Sequence, residues 1–473
     1  MPQRRSHVAP SAAQSELAQA LAALRVELDA PTEFSPNAES EASASSPPAP
    51  ALDLRDVPFA TLDPVGSQDL DQAFHLARDG DGFAVRYAIA DVPSFVQPGG
   101  AVDAAARERG QTLYAADGRI PLHPPVLSED RASLLPGADR PALVWTFSLS
   151  SAGDVTDFRL ERALIRSRVQ LDYESTQQAL DAGEESPASL LREIGELRIA
   201  KERERGGASL NLPDEEVVQH DDGSYGIERR TPLPVEEWNA QLSLMTGMAA
   251  ASVMIDAKVG VLRTMPEPDD AAFDAFRRQA GALGRPWTTG EYGEYLRSLD
   301  RDDPMTLPVL LAAASLFRGA GYVTFDGAVP ENIEQAAIAA PYAHATAPLR
   351  RLVDRWVLAI CLAVSEGVEI PAWARESLPE LPDLMQASSQ RASRLNADTV
   401  NRVEAALMQP LVGETVEATV IEMRNGGERV SIQIADPAVT ASAPVPSGTK
   451  PGDTVSLKVV RADIAQGEVE FAL

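Results

Sequence analysis

The spacing of apolar residues changes twice along this chain, and the order of these changes restricts the fold. Residues 51–170 are rich in strand-like runs in which apolar and polar side chains alternate. From about 172 to 410 the spacing is helical, apart from one strand pair around Asp222–Gly223, and short alternating runs return at 411–473. This order predicts an α+β multidomain fold, with a mixed sheet surrounded by helices and a small β-barrel at the end.

An amphipathic helix is predicted ahead of the sheet, at residues 11–30. Leu17, Leu21, Leu24 and Leu28 recur at helical spacing and form one apolar stripe, which must pack on this chain or on a partner. Residues 31–50 are rich in Pro, Ser, Ala and Glu, a composition typical of a linker. We therefore expect a helical segment with a linker at 1–50, a large α+β domain at 51–410 and a barrel domain at 411–473.

The chain is strongly acidic, with 70 Asp and Glu against 42 Lys and Arg and a formal net charge of −28. Because a nucleic-acid backbone is usually bound by a basic face, this balance argues against a nucleic-acid partner. It does not exclude one, since a channel can be basic while the exterior is acidic, and metal-dependent nucleases need acidic sites. Charge alone leaves both interpretations open.

The single cysteine, Cys361, excludes a disulfide within the chain and indicates a reducing, cytoplasmic environment. It lies in the apolar run WVLAICLAV, where core packing is the expected role of a free thiol. No apolar run approaches the roughly 18 residues that span a bilayer. The basic residues of the first ten are followed by no apolar segment, so we expect no export signal.

Three carboxylates are concentrated in LDPVGSQDLDQAF, residues 62–74, between two strand-like runs. They could be solvated loop residues, caps, a calcium loop or ligands of hard divalent cations. In an extended segment Asp69 and Asp71 would project to one side and Leu70 into the core. Asp63 is biased to an extended conformation by the proline that follows it. Such carboxylates could share one or two Mg²⁺ ions, whose charge would relieve their repulsion.

Over about residues 52–473 the sequence resembles the ribonuclease II, or RNB, family of 3′→5′ exoribonucleases. LDP at 62–64 with DLDQA at 69–73 match the family's D-P and D-x-D-D-A signature, and IADV at 89–92 follows. The runs ARERGQTLYAADGRIPLHPPVLSED and YAHATAPLRRLVDR match its R-G-x-S-x-Y and T-S-P-I-R-R-Y-x-D blocks. Residues 411–473 resemble the family's C-terminal OB fold, so the barrel is expected to be an RNA-binding OB domain.

The resemblance implies a role for each matching residue. The expected Mg²⁺ site comprises Asp63, Asp69, Asp71 and Gln72. Asp71 would be most directly tied to cleavage, Tyr114 would stack on a base near the 3′ end, and Arg350 would hold the scissile phosphate with help from Arg351. From the residues alone, Tyr114 could instead be an ordinary strand aromatic, and Arg350 could form a helix-surface ion pair with Asp354. Asp91 is interpreted as a turn residue at a strand end.

Three departures from the family pattern matter. Gln72 stands where the family has a fourth aspartate. Glutamine keeps an oxygen ligand but lacks the negative charge, so ion binding should be weaker. Leu352 replaces the tyrosine of the R-R-Y-x-D block. Residues 411–470 contain no Phe, Tyr or Trp, so RNA binding there would rely on Arg and Lys instead of base stacking: Arg424, Arg429, Lys450, Lys458 and Arg461.

Two functions of different kinds follow from these observations. The first is an Mg²⁺-dependent enzyme that hydrolyses single-stranded RNA from its 3′ end to 5′-nucleoside monophosphates, in RNA turnover. The second is an RNA-binding protein on a weakened nuclease scaffold, with Gln72 marking decay of the metal site. A DNA-directed nuclease is a third alternative. Long members of the family that this sequence resembles carry N-terminal cold-shock RNA-binding domains. The fifty residues ahead of the catalytic body cannot hold two such barrels, so a compact variant of the family is expected.

Overall fold

The computed structural model describes residues 12–115, 118–208, 214–219, 225–300, 303, 306–424, 429–437 and 439–473. Within these ranges no helix combines the length and apolar character that crossing a membrane requires. The predicted strand tip at Asp222–Gly223 lies outside them, although the two strands that flank it are present.

The first helix, α1 (Ala12–Glu27), packs on the rest of the chain through the predicted leucine stripe. Leu17 and Leu21 are buried with Val403 and other side chains of a long C-terminal helix. Leu24 and Leu28 are buried with Leu113 and Ile120 of a small hairpin and with Leu395. The stripe therefore has an internal partner, which decides between the two alternatives that the sequence left open.

A second helix, α2 (Pro36–Ala44), occupies the segment expected to be a linker. The Ser35 side chain accepts a hydrogen bond from the Ala38 amide at its start, and Pro36 stands at the first helical position, where its missing N–H costs nothing. Ala38 and Ala42 are fully buried. The helix is thus stabilised by close packing of small side chains, which composition does not reveal.

A mixed six-stranded sheet forms the centre of the body, in the order β1-β8-β2-β3-β4-β7, with β8 also paired to β7. Strand β8 runs parallel to β1 and β2 and antiparallel to β7, which confirms the predicted mixed sheet. The β3–β4 hairpin turns around the sequence DGDG, where two strand-like runs meet, and Gly80 has the positive φ that glycine adopts without strain. The strands are β1 (Leu52–Asp53), β2 (Phe59–Asp63), β3 (Gln72–Asp79), β4 (Gly82–Ala90), the separate hairpin β5 (Leu113–Ala115) and β6 (Gly118–Ile120), β7 (Asp139–Leu149) and β8 (Val155–Asp172).

Helices and short strand pairs surround this sheet. The helices are α3 (Val92–Phe95), α4 (Ala101–Arg109), α5 (Tyr173–Asp181), α6 (Leu191–Glu204), α7 (Pro234–Ala257), α8 (Asp270–Ala282), α9 (Tyr292–Ser298), α10 (Thr306–Ala314), α11 (Leu352–Glu366), α12 (Ala372–Glu376) and α13 (Leu381–Met408). The strands are β9 (Asp214–Gln219), β10 (Tyr225–Arg230), β11 (Val259–Thr264), β12 (Gly321–Asp326), β13 (Glu334–Gln335) and β14 (Ala340–Pro341). Cys361 is buried in α11 within the main core, as predicted.

The C-terminal residues form a nearly closed barrel of five antiparallel strands in the order β17-β16-β15-β18-β19. Four of them coincide with alternating runs of the sequence, which are VEATVIEM, ERVSIQI, TVSLKVV and EVEFAL. The sequence did not predict β17, whose run VTASAP has small side chains and a proline, which an edge strand tolerates. The strands are β15 (Thr415–Arg424), β16 (Arg429–Ile434), β17 (Val439–Pro444), β18 (Thr454–Asp463) and β19 (Glu468–Ala472).

Candidate active site

The aspartates of the LDPVGSQDLDQAF motif lie in the loop from β2 to β3, here called the carboxylate loop (residues 63–71). Leu70 is fully buried, as predicted. Its amide donates a hydrogen bond to Ser133 Oγ at 2.9 Å, and its carbonyl accepts one from the Leu134 amide at 3.0 Å. These contacts fix the backbone at Leu70, which lies between Asp69 and Asp71. Both aspartates are therefore held in place from the core side.

Asp71 is the deepest carboxylate of the loop, with 2% of its surface exposed. Its Oδ1 accepts a hydrogen bond from the Leu349 amide at 2.7 Å, and its Oδ2 accepts one from Arg350 Nε at 3.2 Å. Desolvation raises the pKa of Asp71 to about 8, although Arg350 and the Leu349 amide act in the opposite direction. A cation near this carboxylate would therefore favour its ionised form.

The residues around Arg350 form a tight turn, here called the arginine turn (residues 346–351), which enters α11. Asp354 holds the start of the turn, because its Oδ2 accepts a hydrogen bond from the Ala347 amide at 2.7 Å. The Pro348 carbonyl accepts one from His123 Nε2 at 3.2 Å, and the Arg350 carbonyl accepts one from the Thr112 amide at 2.9 Å. The turn is thus fixed from three sides, as a phosphate-binding group requires.

The structure assigns the two arginines of this turn to different partners. Arg351, not Arg350, pairs with Asp354, through Nε at 2.5 Å and Nη2 at 2.8 Å. The surface ion pair considered for Arg350 is therefore wrong. The Arg350 side chain is half exposed, and its two terminal nitrogens have no partner within the described ranges. Arg350 can offer these N–H groups to a phosphate, whereas Arg351 is largely committed to Asp354.

Tyr114 stands on the β5–β6 hairpin with 56% of its surface exposed, which suits a ring that stacks on a base. Its hydroxyl is close enough to Arg350 and to the carboxylates of Asp69 and Asp71 to feel their charges. Local desolvation raises the pKa of this hydroxyl, so it stays neutral. The structure therefore brings the predicted aromatic, arginine and carboxylates into one cleft.

Arg119, on the second strand of this hairpin, is a site residue that the sequence interpretation missed. Its Nη1 lies 2.5 Å from Asp69 Oδ1, and its Nη2 lies 2.9 Å from Glu129 Oε1. The guanidinium therefore ties the Tyr114 hairpin to the carboxylate loop and balances the charge of Asp69. The residue follows Tyr114 by five positions in DGRIPLHPP, but nothing in that spacing indicates its partner.

A second group that the sequence interpretation did not include surrounds Asp63, the last residue of β2, and contains two tyrosines and an asparagine. The Asn239 side chain donates a hydrogen bond to the Leu62 carbonyl at 3.5 Å, and the charge of Asp63 acts on the hydroxyls of both Tyr173 and Tyr87. Tyr87 is buried in β4 and hydrogen bonds with Ser243 Oγ at 2.8 Å. These residues are dispersed over the sequence, and their helix and strand positions are equally typical of core packing.

The chemistry of the donor set fits a hard divalent cation. Within the part of the chain that the structure describes, Asp63 Oδ2 is buried without a hydrogen-bond partner. Desolvation, together with the charge of Asp69, raises the pKa of Asp63 to about 6. Carboxylate oxygens are the ligands that Mg²⁺ prefers. Among the described residues, however, no three Asp, Glu, His or Cys side chains are arranged as a ready metal site. Asp69 and Asp71 face arginines in this structure, so a cation would compete with Arg119 and Arg350.

Gln72 and Asp91 take positions beside this group. The Gln72 side-chain Nε2 donates a hydrogen bond to the Thr346 carbonyl, which links the start of β3 to the arginine turn. Asp91 follows β4 at the start of α3, the expected strand end, and is buried with Arg162 Nε 2.7 Å from its Oδ2. Desolvation raises the pKa of Asp91 to about 6. Asp91 thus combines a turn position with a buried ion pair.

The basic residues expected to bind RNA on the barrel differ in their surroundings. Arg461 is paired with Glu468 at 2.8 Å and with Glu470 at 3.1 Å, and Arg429 donates to Ser442. Lys450 and Lys458 are exposed. The side chain of Arg424 lies outside the described residues. A role of the barrel in RNA binding stays a prediction.

Comparison with known proteins places this arrangement in a family. Residues 51–366 match the RNB domain, and residues 414–473 match the RNase II-type exonuclease C-terminal S1 domain. Ribonuclease R of Escherichia coli (strain K12) is 27% identical over 406 residues, which are 80% of this chain and 49% of that protein. The chain spans between a third and about half of the length of such curated relatives.

Solved structures share the fold. The structure of Mycoplasma genitalium RNase R in complex with ribose methylated single-stranded RNA has a TM-score of 0.86 at 18% identity, covering 97% of this chain and 78% of that one. Yeast Ssd1, described as a pseudonuclease, has a TM-score of 0.70 at 17% identity, covering 90% and 55%. At these identities the likeness establishes the fold, which proteins described as nuclease and as pseudonuclease share.

Proposed function

Because this chain belongs to the RNB family, we propose that it is an Mg²⁺-dependent 3′→5′ exoribonuclease. Its substrate would be single-stranded RNA that enters 3′ end first and is hydrolysed to 5′-nucleoside monophosphates, in RNA turnover. One observation carries the proposal: the buried Asp71 orients Arg350, whose free terminal nitrogens share a cleft with the exposed ring of Tyr114.

Each residue of the cleft has a distinct part in the proposed reaction. Arg350 would donate hydrogen bonds from its terminal nitrogens to the scissile phosphate. Tyr114 would stack on a base near the 3′ end, and Arg351 would hold the arginine turn in shape through Asp354. The residues that would hold the ion are Asp63, Asp69, Asp71 and Gln72.

A bound Mg²⁺ ion would polarise the phosphate and lower the pKa of the attacking water. The carboxylates of the loop would balance its charge, which is why three of them can lie together. Arg119 would keep Asp69 in place through its bridge to Glu129.

The experiment uses 5′-labelled oligoadenylate with Mg²⁺, with EDTA and with the variant Asp71→Asn. The exposed hairpin residue Asp79 provides the matched control, Asp79→Asn. We expect the wild type and the control to release nucleoside monophosphates and leave a short 5′ fragment. The rate should fall at least about 100-fold with EDTA or with Asp71→Asn. Equal cleavage by Asp71→Asn would contradict the assignment, and equal cleavage of oligodeoxyadenylate would indicate a nuclease that does not select ribose.

A second candidate function is an RNA-binding protein with a weakened metal site. It is favoured by Gln72, which lacks the charge of the family's aspartate, and by the fold's occurrence in a pseudonuclease. Retention of Asp63, Asp69, Asp71 and Arg350 supports the enzyme instead. A wild-type protein that binds oligoadenylate but never shortens it would establish the binding function.

Three further expectations stay proposals of the same kind. The division into an N-terminal segment at 1–50, a catalytic domain at 51–410 and an RNA-binding OB domain at 411–473 would be tested by limited proteolysis. A cytoplasmic location is supported by the lone buried Cys361. Single-stranded RNA with a free 3′ end is the proposed partner.

A further inference from the structure

A groove lies between the start of β12 and the N-terminal half of α13, outside the cleft described above. It encloses about 660 Å³, within the range of about 300–1,000 Å³ typical of ligand sites. Residues of α13 at helical spacing line one wall, among them Gln386, Gln390 and Arg394. Arg263 and Tyr322 line the opposite wall.

The lining of this groove differs in charge from the rest of the chain. It includes two arginines, Arg263 and Arg394, and no Asp or Glu. Three other cavities bounded by described residues each contain at least two acidic side chains. In a chain with 70 acidic and 42 basic residues, a groove with cations and no carboxylates indicates an anionic ligand.

Several polar side chains of the groove have no partner among the residues that the structure describes. Gln386, Gln390 and Arg394 are exposed, and their side chains have no hydrogen-bond or ion-pair partner in the described part of the chain. The Arg263 guanidinium lies 4.7 Å from the centre of the Tyr322 ring and has no carboxylate partner there. Free amides beside free arginines suit a ligand that combines phosphates with hydroxyl groups.

One wall of the groove contacts the segment that leads into the arginine turn. The Tyr322 hydroxyl hydrogen bonds with His344 Nδ1 at 2.7 Å, two residues before the arginine turn. His344 lies close enough to Arg350, Arg351 and Arg263 to feel all three charges. The groove wall that contains Tyr322 is therefore joined directly to the segment that carries Arg350.

We propose that this groove binds the backbone of single-stranded RNA upstream of the cleaved end, through Arg394, Arg263 and the two glutamines. The inference rests on the proposed exoribonuclease function and adds a second binding segment to it. An acidic peptide is the other polyanion to consider. The amides and the planar Arg263–Tyr322 pair favour RNA, because they can contact hydroxyl groups and bases.

The test measures binding of 5′-fluorescein oligoadenylates of 20 and 4 nucleotides to the full chain in EDTA, so that binding is independent of cleavage. The groove variants are Arg394→Gln and Gln390→Glu. The controls repeat the same exchanges at exposed helix positions elsewhere, Arg277→Gln in α8 and Gln178→Glu in α5. We expect the groove variants to weaken 20-mer binding about three- to tenfold and the controls less than about twofold.

Two further readouts identify the contact. Arg394→Gln should reduce the slope of log Kd against log salt by about 0.7, the value for one phosphate contact on a single strand. Binding of the 4-mer should not change. If the groove variants bind the 20-mer as the controls do, the inference fails while cleavage by the wild type can still establish the nuclease.

The remaining outcomes separate the two proposals. If the wild type binds neither oligonucleotide, both the groove and the proposed function fail. If a 20-residue polyglutamate displaces the 20-mer, and Arg394→Gln abolishes polyglutamate binding without affecting RNA, the groove serves acidic peptides and the RNA inference is overturned.

Discussion

Replacing His123 by glutamine should make the protein less sensitive to acid. His123 is 1% exposed and donates through Nε2 to the Pro348 carbonyl, while its Nδ1 is buried with no hydrogen-bond partner among the described residues. Desolvation, aided by the charge of Arg355, lowers the pKa of His123 to about 3. The imidazole is therefore neutral in the folded protein and becomes protonated only when the chain unfolds.

The magnitude follows from the two pKa values. An unfolded histidine has a pKa of about 6.5, so acid favours the unfolded state once the pH falls below that value. The stability contributed by neutral His123 is complete above pH 6.5 and is lost towards pH 3. Between pH 7 and pH 5 the loss is about 2 kcal/mol. Glutamine can keep a donor to Pro348 but cannot be protonated, so the variant should escape this loss.

The assay is urea unfolding followed by tryptophan fluorescence, at pH 7 and pH 5. Trp145, Trp238 and Trp356 are in the main core, so the signal reports on the unit that contains His123. Carboxylates and His344 titrate alike in both proteins and cancel in the comparison. His75→Gln is the control, since His75 is only half buried. Equal losses of stability in the wild type and in His123→Gln would refute the reasoning.

Three further perturbations test the supports of the cleft. Arg119→Gln should lower the unfolding free energy by about 1 kcal/mol and, by exposing the charge of Asp69, reduce the Mg²⁺ concentration at half-maximal activity; an unchanged Mg²⁺ titration would contradict the bridge. Leu24→Ala should cost about 2–5 kcal/mol and, by loosening the hairpin, broaden the lengths of the final fragments on a sequencing gel, whereas exposed Val26→Ala should not. Gln72→Asp should lower the half-maximal Mg²⁺ concentration about threefold or more; a rise would show that the link to the arginine turn matters more than charge.

Local patterns predicted most of the secondary structure of the sheet and the barrel. The hairpin around Gly80, the leucine stripe of α1 and the burial of Leu70 all follow from periods of two or 3.6 residues and from turn chemistry. Helix α2 did not follow, because its stability depends on tertiary contacts. The carboxylate of Glu41, for example, accepts hydrogen bonds from amides at the start of α4.

The candidate site could be predicted only as a set of residues. Family blocks indicated Asp71 and Arg350, but their contact joins positions 279 apart, and no local period encodes such a contact. For the same reason the wrong partner was considered for Arg350, since Asp354 lies one turn away at helical spacing. Arg119 was missed because its partners, Asp69 and Glu129, are set by the placement of a hairpin and not by its sequence.

The packing of α1 on α13 determines when this protein can finish folding. Arg402 and Glu27, which meet at this contact, are 375 positions apart in the chain. At about 5–20 residues per second, a ribosome needs roughly 20–75 s to make the stretch between them. During that time the leucine stripe has no partner surface from α13 and stays available to chaperones or to other chains. Helix α1 can thus dock only after α13 has been made, and its docking completes the apolar wall behind the hairpin that carries Tyr114.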